Sequence, residues 1–85
     1  MAAFIQKIIG VQLTPDVNNA KKLQEIFTIY GNIIKTRLGL NHLEDVDLGL
    51  NAVIVLELYG EETQINRFQD ELLAVKGLKL GKMSF

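Results

Sequence analysis

The chain has 85 residues, 48% hydrophobic and 22% charged, which suits one small globular domain and excludes a disordered or low-complexity segment. Nine Lys and Arg against ten Asp and Glu leave a formal net charge of −1. A protein whose main work is neutralising nucleic-acid phosphates is far more basic. Cys is absent and His occurs once, which removes disulfides, thiolate metal sites and cysteine nucleophiles, and nearly all soft-metal ligands.

Residues 4–13, FIQKIIGVQL, are rich in β-branched side chains and predict a strand in which Ile9, Val11 and Leu13 alternate with Ile8, Gly10 and Gln12. Thr14-Pro15-Asp16 follows. The residue before a proline is pushed out of the helical region, while proline suits a first helical turn. Thr14 is therefore a candidate helix cap, with Asp16 near the positive end of the dipole. Over 15–30, Val17, Ala20, Leu23, Phe27 and Tyr30 recur at helical spacing, and Gly31 stands where helices commonly end. NIIKTRL, 32–38, predicts a second strand with Ile34, Thr36 and Leu38 on one face and Ile33, Lys35 and Arg37 on the other. The irregular stretch 39–50 predicts a long hairpin connection. NAVIVLELY, 51–59, is apolar on both faces, as a central strand is. After Gly60, Ile65, Phe68, Leu72 and Val75 mark a helix over 61–76, with Glu61 and Glu62 in its first turn and Lys76 in its last. Gly77 closes it, and LKLGKMSF predicts a final strand.

This order is β-α-β-β-α-β, and the chain repeats itself. Moving 45 residues along carries Ile9, Val11 and Leu13 onto Ile54, Leu56 and Leu58, and Ala20, Leu23, Phe27 and Tyr30 onto Ile65, Phe68, Leu72 and Val75. Two β-α-β halves of one design predict a single α+β domain over 1–85 with a ferredoxin-like fold. Its four-stranded antiparallel sheet would run in the order 4-1-3-2, with both helices on one face over Ile9, Val11, Leu13, Ile54, Leu56 and Leu58.

The opposite face would then carry Phe4, Ile8, Ile33, Val53, Val55 and Tyr59, mixed with Gln6, Gln12, Lys35, Arg37 and Glu57. Six apolar side chains on one sheet face make a patch of the size that marks an interaction surface. They predict a homo-oligomer, a dimer first by symmetry. Pairing of the outer strands, 32–38 or 78–85, is the other route to self-association. Acidic residues concentrate in 43–62, where Glu44, Asp45 and Asp47 lack the spacing of a calcium loop.

Catalytic chemistry finds little to work with. RNA-recognition domains of this topology stack bases on aromatics of the two central strands, and the strongest central strand here, NAVIVLELY, is aliphatic where those aromatics should be. Phosphate binding in an acylphosphatase-like site needs an Arg in the first strand–helix loop, and LTPDVNN has none. His42 has no nucleophile signature around it. The expectation is a non-enzymatic protein with no cofactor, no bound metal and no nucleic-acid partner. MAAFIQKIIG is interrupted by Gln6 and Lys7, and no apolar run is long enough to span a bilayer, so a cytoplasmic protein without a membrane partner is expected.

The chain resembles the ACT-like family of small β-α-β-β-α-β domains, which bind small effectors at a strand–helix loop and a subunit interface. Where ACT domains usually have Gly in that loop, this chain has Thr14-Pro15-Asp16-Val17. Three stretches, GVQLTPDVNNAKKLQEIF, IIKTRLGLNH and LGLNAVIVLELYGEE, resemble more closely the iron-only hydrogenase system regulators. These are stand-alone ACT-like domains related in fold to the effector domain of nickel-responsive repressors. The resemblance implies an oligomeric regulatory or accessory domain, linked to an iron-only hydrogenase system, that binds a small effector or a protein partner. Thr14, Asp16, Asn18 and Arg37 are the polar candidates near its clefts. The alternative is a structural protein–protein interaction module with no small-molecule ligand.

Overall fold

The computed structural model describes residues 3–13, 17–39 and 52–84, with side chains given outside 17–20, 52 and 84. Strand β1 (Phe4–Leu13) is followed by helix α1 (Val17–Ile29), strands β2 (Ile34–Gly39) and β3 (Ala52–Glu61), helix α2 (Glu62–Leu73) and strand β4 (Leu78–Ser84). The sheet order is β2-β3-β1-β4, and every neighbouring pair is antiparallel. The fold is the ferredoxin-like α+β arrangement that the internal repeat predicts. The hairpin connection over 40–50, with His42, Glu44, Asp45 and Asp47, lies outside the described residues.

Alternation in β1 and β3 builds the core. Ile9, Val11 and Leu13 pair with Leu56, Ile54 and Ala52 in register, and Leu58 lies opposite Lys7. Successive strand residues point to opposite faces, so one set is buried under the helices. There Ile9, Val11, Leu13, Leu56 and Leu58 join Leu23, Ile26 and Phe27 of α1 and Ile65, Phe68 and Leu72 of α2 in one cluster, with Ile54 packed against it. The rings of Phe27 and Tyr30 lie 6.1 Å and 5.2 Å from that of Phe68 and join the two helices. The stem of Lys7 is buried on the same side, the usual way a lysine covers apolar surface.

Helix α2 follows β3 with no intervening loop. Glu61 ends the strand in extended geometry and makes no side-chain cap; the Glu62 N–H donates instead to the Ala3 carbonyl at 2.9 Å. A free N–H of the first turn is thus satisfied by the residue just before β1. At the other end the helix stops at Leu73, short of the predicted 76. Ala74 N–H donates to the Asp70 carbonyl and Val75 N–H to that of Leu72. Gly77 then takes φ 83, a left-handed turn suited to glycine. Lys76 therefore lies beyond the helix and not in its last turn.

The strand β2 departs from the expected alternation. Ile33 comes before the strand, in the turn after α1, where its N–H donates to the Tyr30 carbonyl at 3.0 Å and its carbonyl accepts from Tyr59 N–H at 2.9 Å. A bulge follows: Ile34 pairs with Leu58, Thr36 with Glu57, and Lys35 is the inserted residue. The inserted residue puts Ile34, opposite Leu58, on the same side as Ile33 and Arg37, while Thr36 and Leu38 face the other way. Ile33, which precedes the bulge, is in the core, 1% exposed, and not on the open sheet face; it shares a side with Arg37 as predicted, but that side faces the helices. Arg37, opposite Leu56, sits on the helix side, while Leu38, opposite Val55, faces outward.

Candidate functional site

The face of the sheet turned away from the helices is covered by no described element. The strand registers order it into rows. Glu61 and Phe4 start it, Tyr59 and Gln6 follow, then Thr36, Glu57, Ile8 and Met83. Next come Leu38, Val55, Gly10 and Gly81, and last Val53, Gln12 and Lys79. Of the six predicted interface residues, Phe4, Ile8, Val53, Val55 and Tyr59 are on this face; Ile33 is not. Leu38 and Met83, 54% and 57% exposed, belong here and escaped the sequence reading. Alternation alone groups Leu38 with Thr36, but only the register of β2 on β3 shows that this face is the open one; Met83 is placed only once β4 is registered on β1.

The face is mixed in chemistry. Phe4 and Tyr59 form a ring pair at 5.7 Å at one end. In the middle, the Glu57 carboxylate accepts hydrogen bonds from Gln6 Nε2 at 3.2 Å and Thr36 Oγ1 at 2.8 Å. Beyond it, a shallow hollow of about 220 Å3 is lined by Ile8, Gly10, Val55, Gly81, Lys82 and Met83. The hollow is apolar and made of backbone at its floor. Lys82 is the one ionisable residue among those lining it, and the rest of the lining suits an apolar side chain.

The predicted effector residues do not assemble into one described site. Thr14 and Asp16 lie outside the described residues, and Asn18 falls in the first turn of α1. Arg37 is held on the helix side of β2. Its Nη1 donates to Gln24 Oε1 at 3.1 Å and its guanidinium lies 4.7 Å from the centre of the Phe27 ring. An aromatic face attracts a cation, so α1 fixes the direction of this exposed charge. Among the described residues, no three His, Cys, Asp or Glu side chains come together as metal ligands would. No described helix is long and apolar enough to cross a membrane.

No family model matches the chain, and no curated protein matches it. Solved structures do. The uncharacterized protein TM1266 from Thermotoga maritima superposes with a TM-score of 0.85 at 16% identity, over 98% of this chain and 99% of that one. A functionally unknown protein from Pediococcus pentosaceus ATCC 25745 gives 0.58 at 13% identity, over 100% of this chain and 94% of that one. An unknown protein from Galdieria sulphuraria gives 0.56 at 8% identity; this chain is covered to 98% and spans 46% of that chain. At these identities the likeness is one of fold: an α+β domain of ferredoxin-like topology.

Proposed function

We propose that the chain is a non-enzymatic, homo-oligomeric accessory domain of the ACT-like kind, acting in the cytoplasm. In this reading it regulates an iron-only hydrogenase system by binding a small effector or a protein partner. The observation that supports it is the uncovered sheet face. Leu38, Val53, Val55, Ile8 and Met83 sit side by side there, with Phe4 and Tyr59 at one end. An apolar patch of this extent on a small domain is stabilised by being covered. Packing between subunits would then be the equilibrium that an effector biases, through its different affinity for the alternative arrangements. Arg37, fixed by Gln24 and Phe27, is a cation held in place for an acidic effector on the helix side.

Sedimentation velocity from low to high micromolar protein tests the oligomer. A species larger than one chain is expected, and a monomer throughout overturns the reading. Val55→Asp puts a charge in the middle of the face and should abolish association; an unchanged oligomer would assign it to paired edge strands. A thermal-shift screen with amino acids, nucleotides and divalent metals tests the effector, since a ligand that binds the folded state raises apparent stability by mass action. A flat screen on a stable oligomer moves the assignment to a structural interaction module. Loss of hydrogenase activity on deleting the gene from its host tests the link to that system.

A further inference from the structure

Two glycines on the open face have no internal reason to be glycine. Gly10 and Gly81 lie opposite each other in the β1–β4 register. Neither has a positive φ, and a Cβ built on either would meet nothing within 4 Å. Both sit inside strands, where glycine weakens the sheet and often marks the close approach of something else. Together they form the floor of the apolar hollow. The hollow continues a row whose other half stands proud: Leu38 is opposite Val55, and Val55 is opposite Gly10. Across the sheet the row therefore reads Leu38, Val55, Gly10, Gly81: two apolar knobs, then two holes.

We infer that the occupant of this face is a second copy of the chain, packed about a twofold axis that lies in the interface between β3 and β1 and runs roughly along the strands. This inference rests on the self-association proposed above and specifies its geometry. Such an axis turns the row end for end. Leu38 of each copy enters over Gly81 of the other, and Val55 over Gly10. Sheets packed face to face keep their strands within about 30° of each other, which this axis permits. The alternative axis, across the strands, sets Leu38 against Leu38 and hollow against hollow. Covering the face buries the Glu57 carboxylate, for which Gln6 and Thr36 supply hydrogen bonds in place of water but no counter-charge. The area lies near the lower bound for a specific interface. With strands about 4.8 Å apart and about 3.4 Å per residue, the face measures roughly 450 Å2 per copy before side-chain relief, so two copies approach the roughly 1,000 Å2 of a specific interface.

The chain has no cysteine, so single cysteines can report the register. Leu38→Cys and Gly81→Cys are made separately; the first position is exposed and the second has open space for a side chain. Each is oxidised alone and after refolding the two together. The mixture should give several-fold more disulfide-linked dimer than either alone. Strong crosslinking of Leu38→Cys with itself would overturn the inference in favour of the crossed axis. Absence of crosslinks in samples that still sediment as dimers would overturn it while leaving self-association intact. A monomer by sedimentation removes both. As a second arm, Gly81→Val should weaken association at least tenfold without lowering the melting temperature of the isolated chain; undiminished association would count against the fit.

Discussion

Ile33 is seated directly on Gly60. A methyl group added at Gly60 would come within 2.6 Å of Ile33 Cγ2 and 3.3 Å of its Cβ. Ile33 is a buried, β-branched side chain with little freedom to turn aside. Gly60 does not have a positive φ, so its requirement is steric and comes from this contact. Gly60→Ala should destabilise the fold by about 1–3 kcal/mol, the range for overpacking a core. Ile33→Ala alone should cost about 2–5 kcal/mol. The double variant should lose less than the two together, because the new methyl occupies space vacated by Ile33. Urea denaturation of the four proteins gives the coupling energy; additive losses would mean that the two residues do not share this space.

That contact also marks where the sequence became hard to read. The 45-residue repeat located the helix-facing residues of β1 and β3, because their alternation is uninterrupted and both halves carry it. In NIIKTRL either phase of alternation looks equally good. Only the pairing with β3 shows which phase faces the helices: Arg37 lies opposite Leu56 and toward Phe27, Leu38 lies outside opposite Val55, and a bulge brings Ile34 to the core side as well. The juxtaposition of Gly10 and Gly81 is equally invisible along the chain. It arises from the register of two strands separated by most of the sequence. Local pattern thus gave the core and most of the open face, while the features that shape that face depend on non-local pairing.

Arg37 offers a prediction that separates the two sides of the sheet. Its guanidinium stacks on Phe27 and bonds Gln24, both on α1, and it has no place on the open face. Arg37→Ala should therefore lower stability by about 0.5–1 kcal/mol, the worth of an exposed cation–aromatic contact. Arg37→Lys should recover only part of this, since the ammonium keeps the charge but loses the planar stacking. Neither change should alter the sedimentation coefficient of the assembly. A dissociated Arg37→Ala protein that remains folded would place the side chain in an interface instead.

Tyr30, in the turn after α1, packs its ring against Phe68 of α2 at 5.2 Å. Removal of the group from water, then its hydrogen bond to Glu71 and the charge of that carboxylate, raise its pKa above the ordinary 10.0; Arg67 acts in the opposite direction. A phenol with a raised folded pKa is protonated in both states at lower pH. Its stabilising contribution is complete below about pH 10 and is lost as pH rises through the folded value. The chain has two tyrosines, so Tyr59→Phe leaves Tyr30 as the sole absorber in an ultraviolet titration. Its midpoint should lie above 10.0 and fall when Glu71→Gln is added. A midpoint unmoved by that second change would leave burial as the whole cause.

Gln69 predicts a gain of stability. It faces inward from α2 between Ile65 and Leu72, only 6% exposed, and its Oε1 has no hydrogen-bond partner. Its Nε2 reaches Asn66 Oδ1 at 3.4 Å, a long contact that recovers little. A buried acceptor left unpaired costs about 1–3 kcal/mol, whereas an apolar group of similar shape carries no such penalty. Leucine is nearly as large, is a better helix former and extends the existing row of apolar side chains. Gln69→Leu should therefore stabilise the domain by about 1 kcal/mol, which for a chain of this size raises the melting temperature by about 4–8 °C. Gln69→Glu should do the reverse, because it replaces an unpaired dipole with an unpaired charge. Thermal melts of the three proteins decide it: a lower melting temperature for the leucine variant would show that the amide is satisfied in solution and belongs where it is.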